Sequence, residues 1–286
     1  MTRTTSKAIC LHALAAATLA SSLAPSAFAQ TPWLPAPGTS ELTLGFVNQK
    51  ADTFKPGTAT ASLPATLKLD TYSLSYTYGV SDALAIDAAI GRAKSDFIVV
   101  PGLAPKGGLS GGTDSRLGVR FRVLDDLAND PVTLTLGLGA ILKGSYETGA
   151  LPAIGDGANA VEISVAVGKS LTSNLNVYAL LGYRDRAAPV SNENFYKLGA
   201  NVNFTPQLFA AVDYQKVDAK GGLDIGGPGF SPARFPEVQE DYSLTSLTLG
   251  YRFSPRVSAA VQYGDKQGQR NTALSKAYGF SIATSF

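Results

Sequence analysis

Past its first thirty residues the chain has no cysteine, no histidine and no methionine; Cys10, His12 and Met1 are the single copies of each. Without histidine there is no histidine-based triad, general base or metal site. Without cysteine there is no disulfide, thiolate nucleophile or zinc knuckle. Charge is also scarce, at 16% of residues. No run of eighteen apolar residues follows the first thirty, which excludes helical membrane spans. Heptads and sustained helical periodicity are missing too.

The opening segment accounts for those lone residues. Arg3 and Lys7 precede an apolar stretch from Ala8 to Leu23, and Ala27-Phe28-Ala29 supplies a small-x-small cleavage site. Residues 1–29 therefore read as a cleaved secretory signal peptide. Cys10 is far from the cleavage site, which argues against a lipoprotein anchor. Removal of Arg3 and Lys7 leaves equal numbers of basic and acidic residues, a balance that speaks against nucleic-acid binding. Export without disulfides suits a Gram-negative envelope.

What the chain does have is alternation. Segments of about ten residues alternate apolar and polar positions, with Gly, Pro, Asp, Asn and Ser between them; twelve can be counted. The second, Lys68 to Tyr78, sets Tyr72, Leu74, Tyr76 and Tyr78 against Thr71, Ser73, Ser75 and Thr77. The fifth, Val132 to Lys143, sets Leu134, Leu136 and Leu138 against Thr133, Thr135 and Gly137. The last ends on Tyr278, Phe280, Ile282 and Phe286 alternating with Gly279, Ser281, Ala283 and Ser285.

The connectors alternate as well. Gly79–Ala83, Asp125–Pro131, Ser170–Asn174, Thr205–Gln207 and Ser254–Arg256 are short, whereas Asp52–Thr66, Lys94–Thr113, Glu147–Asn159 and Asp218–Asp241 are long. Arg186–Ser191 and Gly264–Thr272 are the two shorter members of the second set. This rhythm is expected of a closed antiparallel transmembrane barrel of about twelve strands, with short periplasmic turns and longer extracellular loops. A soluble β-sandwich also alternates, but its polar face carries Lys, Glu and Thr, whereas Gly, Ala and Ser dominate here. The aromatics sort to the two strand ends, with Tyr78, Phe204, Tyr251, Phe253 and Phe286 at one and Tyr72, Tyr183, Tyr196, Tyr214, Tyr263 and Tyr278 at the other. Two such girdles match two membrane interfaces. The expected layout is a signal over 1–29, a mobile periplasmic N-terminal lead over 30–39 containing Pro32, Pro35 and Pro37, and a barrel over 40–286.

The signal, the alternating final strand and the terminal Phe286 resemble bacterial outer-membrane β-barrel proteins. In that class a C-terminal aromatic with alternating apolar residues upstream, here Phe286 with Ile282, Phe280 and Tyr278, is the signal read by the barrel assembly machinery. The turn units Phe253-Ser254-Pro255-Arg256-Val257 and Phe204-Thr205-Pro206-Gln207-Leu208 resemble those of porin-like transporters, including the MetA-pathway phenol-degradation barrel family. The resemblance spans residues 40–286 and implies an outer-membrane location with lipid and lipopolysaccharide as surroundings. Barrel enzymes of that membrane resemble one another in using an active-site histidine, which this chain lacks. No catalytic role, cofactor or metal is expected.

Outward parity turns Arg116, Arg120, Arg122, Lys143, Arg184, Lys197 and Arg252 inward, with Asp87, Glu162 and Asp213 as the inward acids. A hairpin pairing residue 93 with 114 places Asp87 directly opposite Arg120. The basic surplus predicts either an anion-attracting path or structural cross-strand pairing. Outward Arg92 and Lys94 can meet lipopolysaccharide phosphates or simply solvent. The glycines of Lys106–Gly112 and Gly155-Asp156-Gly157 precede no helix and read as loop glycines. The Asp218–Asp241 loop has an acidic balance, with Phe230 and Phe235 as apolar anchors; it is expected either to fold inward, narrowing the outer mouth and partly neutralising the arginines of segment four, or to stay mobile in solvent with incidental charges. These features predict a porin-like channel for passive passage of small solutes. The alternatives are a non-conducting structural or adhesive barrel and a lipid-acting enzyme.

Overall fold

The computed structural model describes residues 31–100, 104–155 and 157–286. The expected signal peptide, residues 1–29, lies outside them, as does Asp156. The strands are β1 (Ser40–Phe54), β2 (Ala61–Ser81), β3 (Leu84–Asp96), β4 (Ser110–Gly112), β5 (Ser115–Leu124), β6 (Thr133–Leu142), β7 (Ala160–Ser170), β8 (Leu175–Arg186), β9 (Glu193–Asn203), β10 (Leu208–Ala219), β11 (Asp241–Arg252), β12 (Val257–Arg270) and β13 (Ala273–Ser285). Each of twelve pairs antiparallel with its sequence neighbours, and β1 pairs with β13 to close the ring. The thirteenth, β4, is a short addition beside β3. At the seam, Ser40 and Phe286 exchange both backbone hydrogen bonds, at 2.8 and 3.0 Å. Closure matters because a free strand edge in hydrocarbon leaves N–H and C=O groups without partners.

The outward positions are the apolar ones that the alternation marked. Leu44, Ile90, Leu117, Leu138, Ile163, Leu198, Leu247 and Val261 are all exposed, as are Tyr278, Phe280 and Ile282 of the last strand. A continuous apolar skin of this kind around a closed sheet is stable only in lipid. Inward positions are small where a neighbour is large. A Cβ on Gly182, for example, would come within 2.0 Å of the Phe195 ring, so the glycine is what lets that ring lie across the wall.

Three short turns share one device. In Leu171–Leu175, Phe204–Leu208 and Phe253–Val257 the second residue is Thr172, Thr205 or Ser254. Its hydroxyl accepts from the backbone N–H groups two and three residues on, at 2.9–3.2 Å. The side chain thereby satisfies donors that the ladder leaves over.

Several boundaries differ from the sequence reading. β1 and β2 run on to Phe54 and back from Ala61, so the expected Asp52–Thr66 loop shrinks to residues 55–60. β12 continues to Arg270, leaving Asn271 and Thr272 as the turn. Both extensions lie above the apolar band, where Asp265-Lys266-Gln267-Gly268-Gln269-Arg270 contains nothing apolar to alternate. Hydrophobic periodicity cannot reveal the strand there, and in the β1–β2 extension Phe54, Leu63, Ala65 and Leu67 pack in a buried cluster with residues of other loops.

Candidate functional site

The lumen is built in levels from the turn end upward. At the lowest level the residues expected to form a mobile lead are packed inside the barrel. Gly38, at φ 74°, reverses the chain ahead of β1, and its N–H donates to Gly79 O at 2.7 Å. Thr31, Leu34 and their neighbours are buried in consequence. Thr135 Oγ1 donates to Pro32 O at 2.6 Å, and Arg120 Nη1 donates to Trp33 O at 3.2 Å. The Trp33 ring meets Tyr178 edge-on, with centroids 6.0 Å apart. Two glycines make room: a Cβ on Gly168 would strike Pro32 at 2.4 Å, and one on Gly79 would strike Ala36 O at 2.3 Å.

Arg120 also binds Asp87 through two hydrogen bonds of 2.7 and 2.8 Å, both side chains nearly buried. The expected register is corrected here. Asp87 stands opposite Gly118, and Arg120 opposite Ala85, two residues from the predicted pairing. The long guanidinium spans that diagonal, which is why the contact survives the shift.

Higher up, Asp213 accepts a hydrogen bond from Tyr178 Oη and lies 3.4 Å from Lys197 Nζ. Above that is the densest level. Arg184, fully buried, bonds Glu162 through Nε and Nη2 at 3.1 and 3.0 Å and also pairs with Glu193. Arg186 reaches the other oxygen of Glu193 at 3.1 Å, and Arg184 stacks 5.2 Å from the Phe195 ring centroid. Buried Arg116 belongs to this level. Such a cluster is costly to desolvate and persists because its charges are paired and hydrogen-bonded together.

The other anticipated residues sit at the rims. Arg122 pairs with Asp125 at 2.8 Å, and Arg252 donates to Asn203 Oδ1 and Pro206 O beside the Phe209 ring. Lys143 does not enter the lumen. β6 ends at Leu142, and Lys143 is exposed, its backbone N–H donating to Asn159. Its parity stopped applying where the strand stopped.

Among the described residues, Glu41, Glu193, Arg186 and Lys266 are charged side chains of the interior that the sequence reading did not name. Glu41 alternates with Leu42 and was legible, and one further step of the β8 parity reaches Arg186. Glu193 and Lys266 lie in stretches read as loop or near it.

The outer mouth is a cavity of about 130 Å³ whose walls include Phe54, Leu67, Leu151 and Phe235, with Arg186 and Glu193 below. Residues 148–155 and the Phe235–Glu240 end of the neighbouring 220–240 loop form much of its wall. Ile225 of that loop is buried among Phe54, Leu67 and Phe97, with Phe230 and Phe235 packed against the same cluster. The loop acids go elsewhere than predicted. Asp224 takes two 2.7 Å bonds from Arg270, Glu237 pairs with Arg234, and Glu240 with Lys266 at 2.7 Å. Arg120 and Arg122 lie toward the turn end of β5, and the loop acids are taken by cations nearer to them, Arg270, Lys266 and the loop's own Arg234. Hydrogen bonds from Arg270 and Arg234 hold the carboxyls of Asp224 and Glu237 below the usual carboxylate range.

No family model matches the chain, and no curated protein sequence matches it. Solved structures do. An outer-membrane channel from Pseudomonas putida F1 superposes with a TM-score of 0.73 at 13% identity, covering 92% of this chain and all of that one. The architecture is that of an outer-membrane β-barrel. The NanC porin follows at 0.53 and 10% identity, covering 85% of this chain and 98% of its own. The KdgM porin, solved in complex with disordered oligogalacturonate, gives 0.50 at 9% identity, with 85% and 99% covered. At these identities the likeness is one of fold.

Proposed function

We propose that this protein is a porin-like channel of the bacterial outer membrane, passing small solutes passively along a lumen with a basic bias. The observation that carries the reading is a closed twelve-stranded ring with an apolar skin outside and charged, hydrogen-bonded side chains within. Lipid solvates the first surface, and a polar interior of this kind suits a path for water and small polar solutes. The channels and porins among the solved neighbours support this direction. The lack of histidine and cysteine after residue 30 supports passage rather than chemistry. Loss of Lys143 from the lumen trims the basic surplus. Arg186 and Lys266 are offset in number by Glu41 and Glu193, a count that supports a basic bias.

Packing of residues 31–36 across the lower lumen favours a second reading, a barrel closed at rest. Single-channel recording in planar bilayers under a salt gradient tests both. The expected result is stepwise conductance with a reversal potential of anion-preferring sign. Silence in the intact barrel, with steps only after removal of residues 31–36, selects the closed form. Silence in both removes the channel reading.

A further inference from the structure

The outer face at the loop end carries an arrangement that the channel reading leaves unexplained. Register places Lys276 of β13 opposite Lys50 of β1, and Lys50 opposite Lys68 of β2. Three lysines thus sit side by side on adjacent strands, all exposed. The row ends in acids on both sides, with Asp265 of β12 opposite Lys276 and Asp96 of β3 opposite Lys68. Lys50, in the centre, has a lysine across each of its ladders. Directly opposed side chains have Cβ atoms about 5 Å apart, so like charges there repel and destabilise the sheet.

The protein does little to relieve this. Among the described residues neither Lys50 nor Lys276 makes an ion pair, and Lys68 reaches Asp96 at 3.9 Å with both side chains largely exposed. Asp70 is held by Asn48 at 2.6 Å, and Asp52, set out of the ladder by a bulge, is held by Thr66. Arg92 and Lys94 of β3 add exposed positive charge on the same face.

Height on the barrel gives the row its meaning. The next outward row toward the membrane centre is Tyr278, Asn48, Asp70 and Lys94, and the one after it is Phe280, Phe46, Tyr72 and Arg92. Phe46 and Tyr72 pack with centroids 4.9 Å apart, and exposed Leu44 and Ile282 continue the apolar surface below them. Aromatic rings mark the interface, so the lysines stand just beyond it at headgroup level, above acyl-chain surface.

We propose that the Lys276–Lys50–Lys68 row is a binding site for the phosphorylated sugar headgroup of an outer-leaflet lipopolysaccharide. A phosphate over Lys50 replaces two repulsions with three attractions, and the acyl chains of the same molecule lie along Phe46, Tyr72 and Phe280. One ligand answers both surfaces, whereas a free phosphate answers only the first. The inference rests on the orientation that puts the long loops outside and not on conduction, so a barrel that passes no current still tests it.

The experiment uses the full barrel in detergent, titrated with lipid A and with dephosphorylated lipid A, reading the fraction that stays folded on heating. Lys50→Gln/Lys276→Gln should weaken lipid A binding by about 30-fold, and Arg256→Gln on the opposite rim should leave it unchanged. Wild-type barrel should bind the dephosphorylated lipid no better than the double variant binds lipid A. In phosphatidylcholine vesicles free of lipid A, the double variant should be at least as stable as wild type, since the repulsion is gone; Lys50→Gln alone gives the same comparison with one change. Equal lipid A affinity in wild type and double variant would overturn the proposal. So would equal stabilisation by phosphatidylglycerol, which reduces the row to a general anionic-surface contact.

Discussion

Asp87 and Arg120 are joined by two hydrogen bonds of 2.7 and 2.8 Å although neither is the other's ladder partner. The same guanidinium holds the backbone carbonyls of Thr31 and Trp33. A single diagonal contact thereby ties the wall of the barrel to the segment inside it.

Asp87→Asn should destabilise the folded barrel by about 3–5 kcal/mol, the cost of leaving a buried charge without its partner. Asp87→Leu combined with Arg120→Met should recover part of that loss, because neither charge is then desolvated. Urea unfolding of the detergent-solubilised barrel measures both. Equal losses in the single and double variants would show that packing, not charge pairing, sets the cost.

Gly79→Val tests the internal segment. The added side chain cannot coexist with Ala36 O at 2.3 Å and Pro35 O at 2.8 Å from the new Cβ. Residues 31–36 should be displaced, with an increase in single-channel conductance and in cleavage of that segment by added protease. Unchanged current together with unchanged protection would mean that the wall yields instead.

Asn271 should govern the outer loop. Its Oδ1 accepts from Gly57 and Ile225 N–H groups, and its Nδ2 donates to Leu223 O, Asp224 Oδ1 and Gln239 O. Buried at φ 48°, it occupies a left-handed position that asparagine tolerates better than most residues. Asn271→Ala should cost about 1–3 kcal/mol through the stranded backbone donors. Trypsin cleavage at Lys220 or Arg234 should accelerate, while the transmembrane ladder stays heat-resistant. Wild-type cleavage rates would remove Asn271 from this role.

The loop should also respond to acid. Asp224 and Glu237 are depressed in the folded state by Arg270 and Arg234. A depressed carboxylate stabilises the docked loop above its unfolded pKa and loses that contribution as pH falls through the folded value. Docking should therefore be constant through neutral pH and fail only below about pH 4, the ordinary carboxylate range. Trypsin is inactive there, so pepsin cleavage from pH 2 to 5 is the measurement. Release beginning near pH 6 would point to a different group.

Much of this was legible in one dimension. Strand number and outward parity follow from a period of two, because positions facing the hydrocarbon must be apolar whatever their partners. The inward placement of Arg116, Arg120, Arg184, Lys197, Glu162 and Asp213 came from the same parity, and their burial agrees with it. Where the apolar signal ended, at Lys143 and along Lys266–Arg270, parity had nothing to count.

The rest required the closed ring. Whether Arg120 meets Asp87 depends on a register that no local pattern specifies, since a two-residue slip keeps every side chain on its face. The lodging of Trp33 against Tyr178 and the trapping of Asp224 by Arg270 are contacts between residues far apart in the chain, set by barrel curvature and by which cation lies nearer. The lysine row is of the same kind. Alternation alone places Lys50, Lys68 and Lys276 on the outer face, but only closure of β1 between β2 and β13 sets them side by side.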